Sequence, residues 1–241
     1  KNTEYLLVFT VTVAGEEIRY YSRAEWSDDC YFEEKLEFVR DFHDRLFDKE
    51  AAREIAKYLE PNSQLEDNKS FYKVNIHSSF RQITYGSLNM KQESIPVIKV
   101  RDIADTTANV HLEFIGSTAD GQGNKTFYKV EEYYSIWYKP EVQYLLDYER
   151  TMEQIMTPDE MYANDKLLLG IADWNVQMKE NDDGNVVAFV NADRLFSYNL
   201  TTNSLARIFD FSESSMGDRR ESYDQHDIRI LDVTEGGNVE F

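Results

Sequence analysis

From Tyr5 to Val13 apolar residues alternate loosely with Thr, and a second run from Ile18 to Ser22 follows an Ala14-Gly15-Glu16 turn. A two-residue period interrupted by a Gly turn predicts a β-hairpin. From Glu33 the period changes. Leu36, Val39, Phe42 and Leu46 recur at three- and four-residue steps, with Asp28 or Asp29 near the start, which predicts an amphipathic helix over Tyr31 to Phe47. A second helix is expected directly after it, with Asp48 as N-cap, Ala51, Ala52, Ile55, Ala56 and Leu59 on one apolar face, and Pro61 as its stop.

Beyond Phe71 the pattern is one of strands. Phe71 to Ile76, Arg81 to Tyr85, Val97 to Val100, Val110 to Ile115, Thr126 to Val130 and Tyr133 to Tyr138 are rich in β-branched and aromatic residues. Gly86, Asp105-Thr106-Thr107 and the Asp120 to Asn124 cluster separate them as turns. Gln143 to Met156 fits two templates: Val142, Leu145, Leu146, Glu149, Met152 and Met156 make a helical stripe, while Tyr144, Leu146 and Tyr148 alternate as a strand. We favour a strand up to Tyr148. Residues 157–166 read as a connector with at most a short helical turn, and the domain boundary is expected there.

After the connector come short runs at Leu167 to Ile171, Val176 to Met178, Val186 to Val190, Leu195 to Asn199 and Leu205 to Phe209. A strand, an acidic Gly-containing turn and a second strand occur twice. One copy turns through Asn181 to Asn185 into Val186 to Val190; the other runs from Ile228 to Val233, turns through Glu235 to Asn238 and enters Val239 and Glu240. Their Gly-Asn-Val triplets begin at Gly184 and Gly237, 237 − 184 = 53 residues apart, near the ~40 to 50 residues of a propeller blade. The stretch Asp193 to Leu205, a strand ending in polar residues followed by a Thr-rich turn and another strand, resembles the outer hairpin of bacterial β-propeller blades of the TolB-like type. That resemblance covers residues 167–241 and implies repeated four-stranded blades in an envelope protein. The chain starts at Lys1 without Met and ends inside a predicted strand, so we read it as part of a longer protein in which a membrane anchor can lie upstream.

Composition narrows the class. At 41% hydrophobic and 14% aromatic, the 241 residues can build one large or two modest cores and are not a disordered chain. Forty-five acids against 26 bases, a net charge of −19, argue against a nucleic-acid partner, because the phosphate backbone would be repelled. Cys30 is the single cysteine, so an intrachain disulfide is impossible, and Asp28 and Asp29 beside it oppose a reactive thiolate. No apolar run approaches the ~18 residues that span a bilayer.

Candidate chemistry is sparse. The Asn181 to Gly184 turn lacks the carboxylates a calcium loop requires, since Lys179 and Val190 stand at the ligand positions, and it reads as a hairpin turn. His43, His77, His111 and His226 have no mutual metal-ligand spacing. Tyr223, Asp224, Gln225, His226 and Asp227 place a phenol, two carboxylates and an imidazole on one loop, either as an acid-base or metal centre or as a locally hydrogen-bonded loop. His43 shares its helix's apolar face and reads as a satisfied core residue. There is neither a Gly-x-Ser-x-Gly elbow nor a Gly-rich phosphate loop, and three glycosylation sequons, at Asn68, Asn124 and Asn199, carry no information by themselves. Tyr133 to Tyr138 puts Tyr134, Ile136 and Tyr138 on one face and Tyr133, Ser135 and Trp137 on the other. An open face would stack on sugar or grip a peptide; burial between sheet and helix would give the same pattern.

These readings converge on an α+β fold: a helical pair with an antiparallel sheet over residues 1–156, then a partial β-propeller-like segment over 157–241. The expected role is a non-catalytic, extracytoplasmic binding or sensory module of a bacterial cell envelope, with no cofactor or metal and with a protein or cell-wall ligand. Tyr134, Trp137, Tyr138, Tyr223, Asp224, His226 and Asp227 are the candidate ligand-binding residues. The alternative is a hydrolase whose site lies partly outside these residues.

Overall fold

The alternation in the first 26 residues produces the expected hairpin, and a longer one than the runs themselves suggest. In the computed structural model, which describes residues 3–26, 30–65, 69–156, 158–163, 166–170, 176–211 and 227–241, β1 (Thr3–Val13) and β2 (Glu16–Trp26) pair along their whole length, from Thr3↔Trp26 to Val13↔Glu16. Ala14 and Gly15 have φ of 51° and 92°, the left-handed pair that a two-residue hairpin loop needs if its twist is to match the strands.

Helix α1 (Phe32–Arg45) buries Leu36, Phe38, Val39 and Phe42. Asp28 and Asp29, expected near its start, lie outside the described residues; Glu33 and Glu34 in the first turn complement the helix dipole. The predicted second helix forms as two 3-10 turns, Ala51–Glu54 and Ala56–Tyr58. The N-cap position falls to Glu50, not to Asp48 as expected, yet Asp48 Oδ1 still supports the entry by accepting from the N–H groups of Glu50 and Ala51 at 2.9 and 3.3 Å. Buried Ala52 and Ile55 are three residues apart, which aligns them in the tighter helix.

A six-stranded sheet follows, built from β3 (Lys73–Asn75), β4 (Lys91–Gln92), β5 (Val97–Ile103), β6 (Thr107–Ala119), β7 (Lys125–Lys139) and β8 (Val142–Ile155). Its order is β3-β8-β7-β6-β4, with β5 also paired to β6. Arg81 to Tyr85, expected as a strand, is instead a helical turn, α2 (Phe80–Ile83). Its signal is the Ser79-x-x-Gln82 pattern: Ser79 caps the turn, its Oγ accepting from Gln82 N at 3.4 Å and donating to Gln82 Oε1 at 3.1 Å. The two strands expected from Thr126 to Tyr138 are one: the strand runs through Glu131 and Glu132, and Glu132 takes a buried inward position in it. On β8 the inward positions step from Leu145 to Tyr148 and then by twos through Arg150 and Met152. That single three-residue step is why a helical template also fitted this segment.

Contacts divide the chain into two units, one of residues 1–91, 95–114 and 131–151, the other of residues 92–94, 115–130 and 152–241. In the first unit α1 lies on the inward face of the sheet. Phe42 meets Tyr134 and Tyr148 with ring centroids 5.6 and 5.4 Å apart, and His43 meets Phe114 at 4.9 Å. Buried Lys35 donates to the carbonyls of Ala104, Asp105 and Thr107 at 2.5, 3.1 and 3.3 Å, tying α1 to the β5–β6 turn.

The second unit holds α3 (Pro158–Met161), a two-residue pairing of β9 (Tyr162–Ala163) with β10 (Lys166–Leu167), and a four-stranded antiparallel meander of β11 (Met178–Glu180), β12 (Val186–Asn191), β13 (Arg194–Asn199) and β14 (Ser204–Asp210). A second hairpin joins β15 (Asp232–Val233) to β16 (Val239–Glu240), so the run expected as a strand from Ile228 pairs only at its end. Val186, Ala188 and Leu195 of the meander pack with Ile228, Ile230 and Val233.

The two acidic turns that repeat in sequence repeat in structure. Gly184 N–H donates to Asn181 O and Gly237 N–H to Thr234 O, each at 2.9 Å, and the glycines have φ of 66° and 80°. Asn181 Oδ1 accepts from Asn185 N at 3.0 Å; Thr234 Oγ1 accepts from Asn238 N at 3.1 Å. The turns also touch, since Glu235 accepts from Asn181 Nδ2 at 3.0 Å and from Asp183 N at 3.3 Å.

Candidate functional site

Strand β7 leaves the sheet at Lys139, and the Pro140-Glu141 turn starts β8. Strand alternation turns Trp137 away from the core and towards Tyr144, whose ring lies 5.5 Å from it; the Lys139 ammonium sits 4.9 Å from the Trp137 ring centre. Tyr58, at the end of the second 3-10 turn, is held edge-on by Phe38 at 5.1 Å and carries Lys57 Nζ 4.8 Å from its ring. Between them is an open cleft of about 410 Å³, lined by Lys57, Tyr58 and the residues from Pro140 to Tyr144. It offers aromatic faces, an ammonium, the Glu141 carboxylate and the Gln143 amide. This combination suits a ligand with a flat apolar face and hydrogen-bonding edges.

The structure separates the aromatic residues nominated from sequence. Tyr134 and Tyr138 point inward and are buried, Tyr134 donating to Glu132 and Tyr138 packing its ring 5.4 Å from Tyr31. Of these three, Trp137, on the opposite face, touches a cleft wall, its ring 5.5 Å from that of Tyr144. Tyr223, Asp224 and His226 lie outside the described residues; Asp227 is exposed. Sequence reading missed Tyr58 and Tyr144 as cleft walls, although the Lys57-Tyr58 pair just before Pro61 and the aromatic run beside Pro140 were available as signals.

A second constellation lies beneath α1. Glu132 Oε2 accepts from Tyr134 Oη at 2.7 Å and is 2.8 Å from His43 Nδ1. Arg150 donates from its two terminal nitrogens to the carbonyls of Ile83 and Gln82 at 2.7 and 3.0 Å, and its guanidinium lies 3.9 Å from the Tyr85 ring centre. Among the described residues Glu132 Oε1, Arg150 Nε and the hydroxyls of Tyr85 and Tyr148 make no hydrogen bond of normal geometry, although both hydroxyls lie in the field of the Arg150 charge. Burial pushes the Glu132 carboxyl up, but the charge and hydrogen bond of His43, the Tyr134 hydroxyl and Arg150 together outweigh it and hold the group below the usual carboxylate range. Burial, reinforced by the Glu132 charge, raises the Tyr134 and Tyr148 hydroxyls far above theirs. A carboxylate, an imidazole and a phenol in contact can exchange protons, yet Glu132, Tyr134, Tyr148 and Arg150 are fully enclosed, so in this conformation they meet no substrate. The cluster anchors α1 and α2 to the sheet.

Among the described residues no group of three or more His, Cys, Asp or Glu side chains is placed to hold a metal ion, and no helix is long and apolar enough to cross a membrane. Compared with known proteins, the chain matches no family model, no curated protein and no solved structure.

Proposed function

We propose that this chain is a non-catalytic binding module of a bacterial cell-envelope protein, acting outside the cytoplasm, and that it takes a glycan segment of the cell wall into the aromatic cleft. The observation that carries the reading is the cleft itself, with Tyr58 and Tyr144 as walls, Trp137 against Tyr144, and Lys57, Glu141 and Gln143 in its lining. Pyranose rings present an apolar face to aromatic side chains and hydroxyls to amides and charges, and an open cleft admits a chain in a way that an enclosed pocket does not.

The envelope assignment rests on the second unit. Its four-stranded meander has the strand number of one propeller blade, and its second turn packs against the first as neighbouring repeats do. Both features agree with the TolB-like resemblance of residues 167–241. The test is a fluorescence titration with soluble peptidoglycan glycan fragments in a Trp26→Phe/Trp174→Phe background, in which Trp137, tilted against Tyr144, acts as the reporter. A saturable change that disappears in Tyr144→Ala while the circular dichroism spectrum is kept supports the reading. A flat titration, or one unaltered by Tyr144→Ala and Tyr58→Ala, sinks it.

A further inference from the structure

The β1–β2 hairpin is a two-stranded sheet whose described side chains are exposed or nearly so, and its two faces differ in character. The register sets odd-numbered residues of β1 beside even-numbered residues of β2. On one face β1 contributes Tyr5, Leu7, Phe9, Val11 and Val13. Beside them stand Ile18, Tyr20, Ala24 and Trp26 of β2. The other face carries Glu4, Arg19, Arg23 and Glu17 among its residues, and there Arg23 donates to Glu4 at 3.2 Å and to Asp102 of β5 at 2.8 Å. This face also exposes Leu6, Val8 and Tyr21, at 67%, 50% and 64%, but its charged residues interrupt that apolar surface and Arg23 tethers it to its own unit. The apolar face has its eight large side chains between 40% and 69% exposed.

An isolated two-stranded hairpin is marginal in water and gains stability from a covered apolar face. We propose that a second copy of this chain provides the cover: two hairpins pack apolar face to apolar face across a two-fold axis, forming the core of a homodimer. Area is the first argument. With fully buried aromatics worth ~150 to 250 Å² each, four half-exposed rings and four aliphatic side chains present on the order of 800 Å², which is what one partner of a standard specific interface buries. Shape is the second. Small Ser22 and Ala24 lie between Tyr20 and Trp26 along β2, leaving a dent bounded by bulky groups in which a ring of the second copy seats. Charge is the third. Glu16 at the turn is the single charged residue on this face, so docking desolvates little charge, whereas the net charge of −19 per chain acts at longer range and opposes association at low salt.

The test is sedimentation equilibrium of the chain at low and high sodium chloride, with paired variants on the two faces. The proposal expects a dimer at tens of micromolar, a dissociation constant that falls as salt is added, and a rise of at least about a hundredfold in that constant for Phe9→Glu/Tyr20→Glu. Val8→Glu on the opposite face, next to Tyr21, serves as the control and leaves the constant within about threefold. Circular dichroism separates a folded monomer from an unfolded one; if the double variant unfolds, the milder Phe9→Ser replaces it with the same expectation. A wild-type chain that stays monomeric throughout overturns the proposal. So does equal loss of dimer in Val8→Glu, or a monomer that floats with phosphatidylcholine vesicles through this face.

Discussion

Replacing Glu132 by Ala removes the one acceptor shared by the Tyr134 hydroxyl and the His43 ring, and takes away an anion that acts on buried Arg150. A buried donor left without a partner costs ~1 to 3 kcal/mol, and breaking a buried charge cluster by removing one member costs ~3 to 5 kcal/mol in all. Against a typical total of ~5 to 15 kcal/mol this is a large fraction of the stability. With an m-value near 2 kcal/mol/M, the urea midpoint followed by circular dichroism should fall by about 2 M at neutral pH. Glu132→Gln keeps the shape and an acceptor but not the charge, so its loss should be smaller. The pH dependence has a definite sign. The folded carboxyl lies below its ordinary value of 4.5, so its stabilisation is complete above that value and disappears as pH falls through the lower folded value. The gap between wild type and Glu132→Gln should therefore narrow below pH ~4.5. A Glu132→Ala chain within ~0.5 kcal/mol of wild type, or acid unfolding curves that run parallel in the two proteins, would refute the view that the charge cluster holds α1 and α2 to the sheet.

Lys35→Met removes the ammonium that serves three carbonyls of the β5–β6 turn and should cost ~2 to 4 kcal/mol in the same urea assay. Gly170→Ala should destabilise by ~1 to 3 kcal/mol: φ is +68° and the new Cβ would come within 2.7 Å of both Asn191 Nδ2 and Met156 Sδ. Asn181→Ala takes away the acceptor for the N–H groups of Asn185 and Val186 and the donor to Glu235, with an expected loss of ~2 kcal/mol. A double-mutant cycle with Glu235→Ala should return a coupling of ~0.5 to 1 kcal/mol, and a coupling of zero would mean that the two turns do not support one another.

Local pattern was enough for elements whose stabilising contacts are near in sequence. The hairpin was legible because Gly15 accepts positive φ between two alternating runs, α1 because its apolar positions repeat at the helical period, and the paired acidic turns because Asn and Thr side chains close them on their own backbone. His43 as a satisfied core residue could be read from its place on the helix, although its partner could not. Glu132 lies 89 residues further along, and a carboxylate in a strand announces nothing about burial. Arg81 to Tyr85 misled because β-branched and aromatic content outweighed a capping pattern that is visible only when Ser79 and Gln82 are considered together.

The sequence by itself determined periodicity, turn chemistry, charge and the existence of a repeated unit, since each depends on neighbours within a few residues or on a simple count. Tertiary structure alone decided which face of the Tyr133 to Tyr138 strand is buried, that Tyr58 and Tyr144 wall one cleft, and that the apolar face of the first hairpin has no cover among the described residues. Alternation sorts side chains onto two faces but does not say which of them another element will bury.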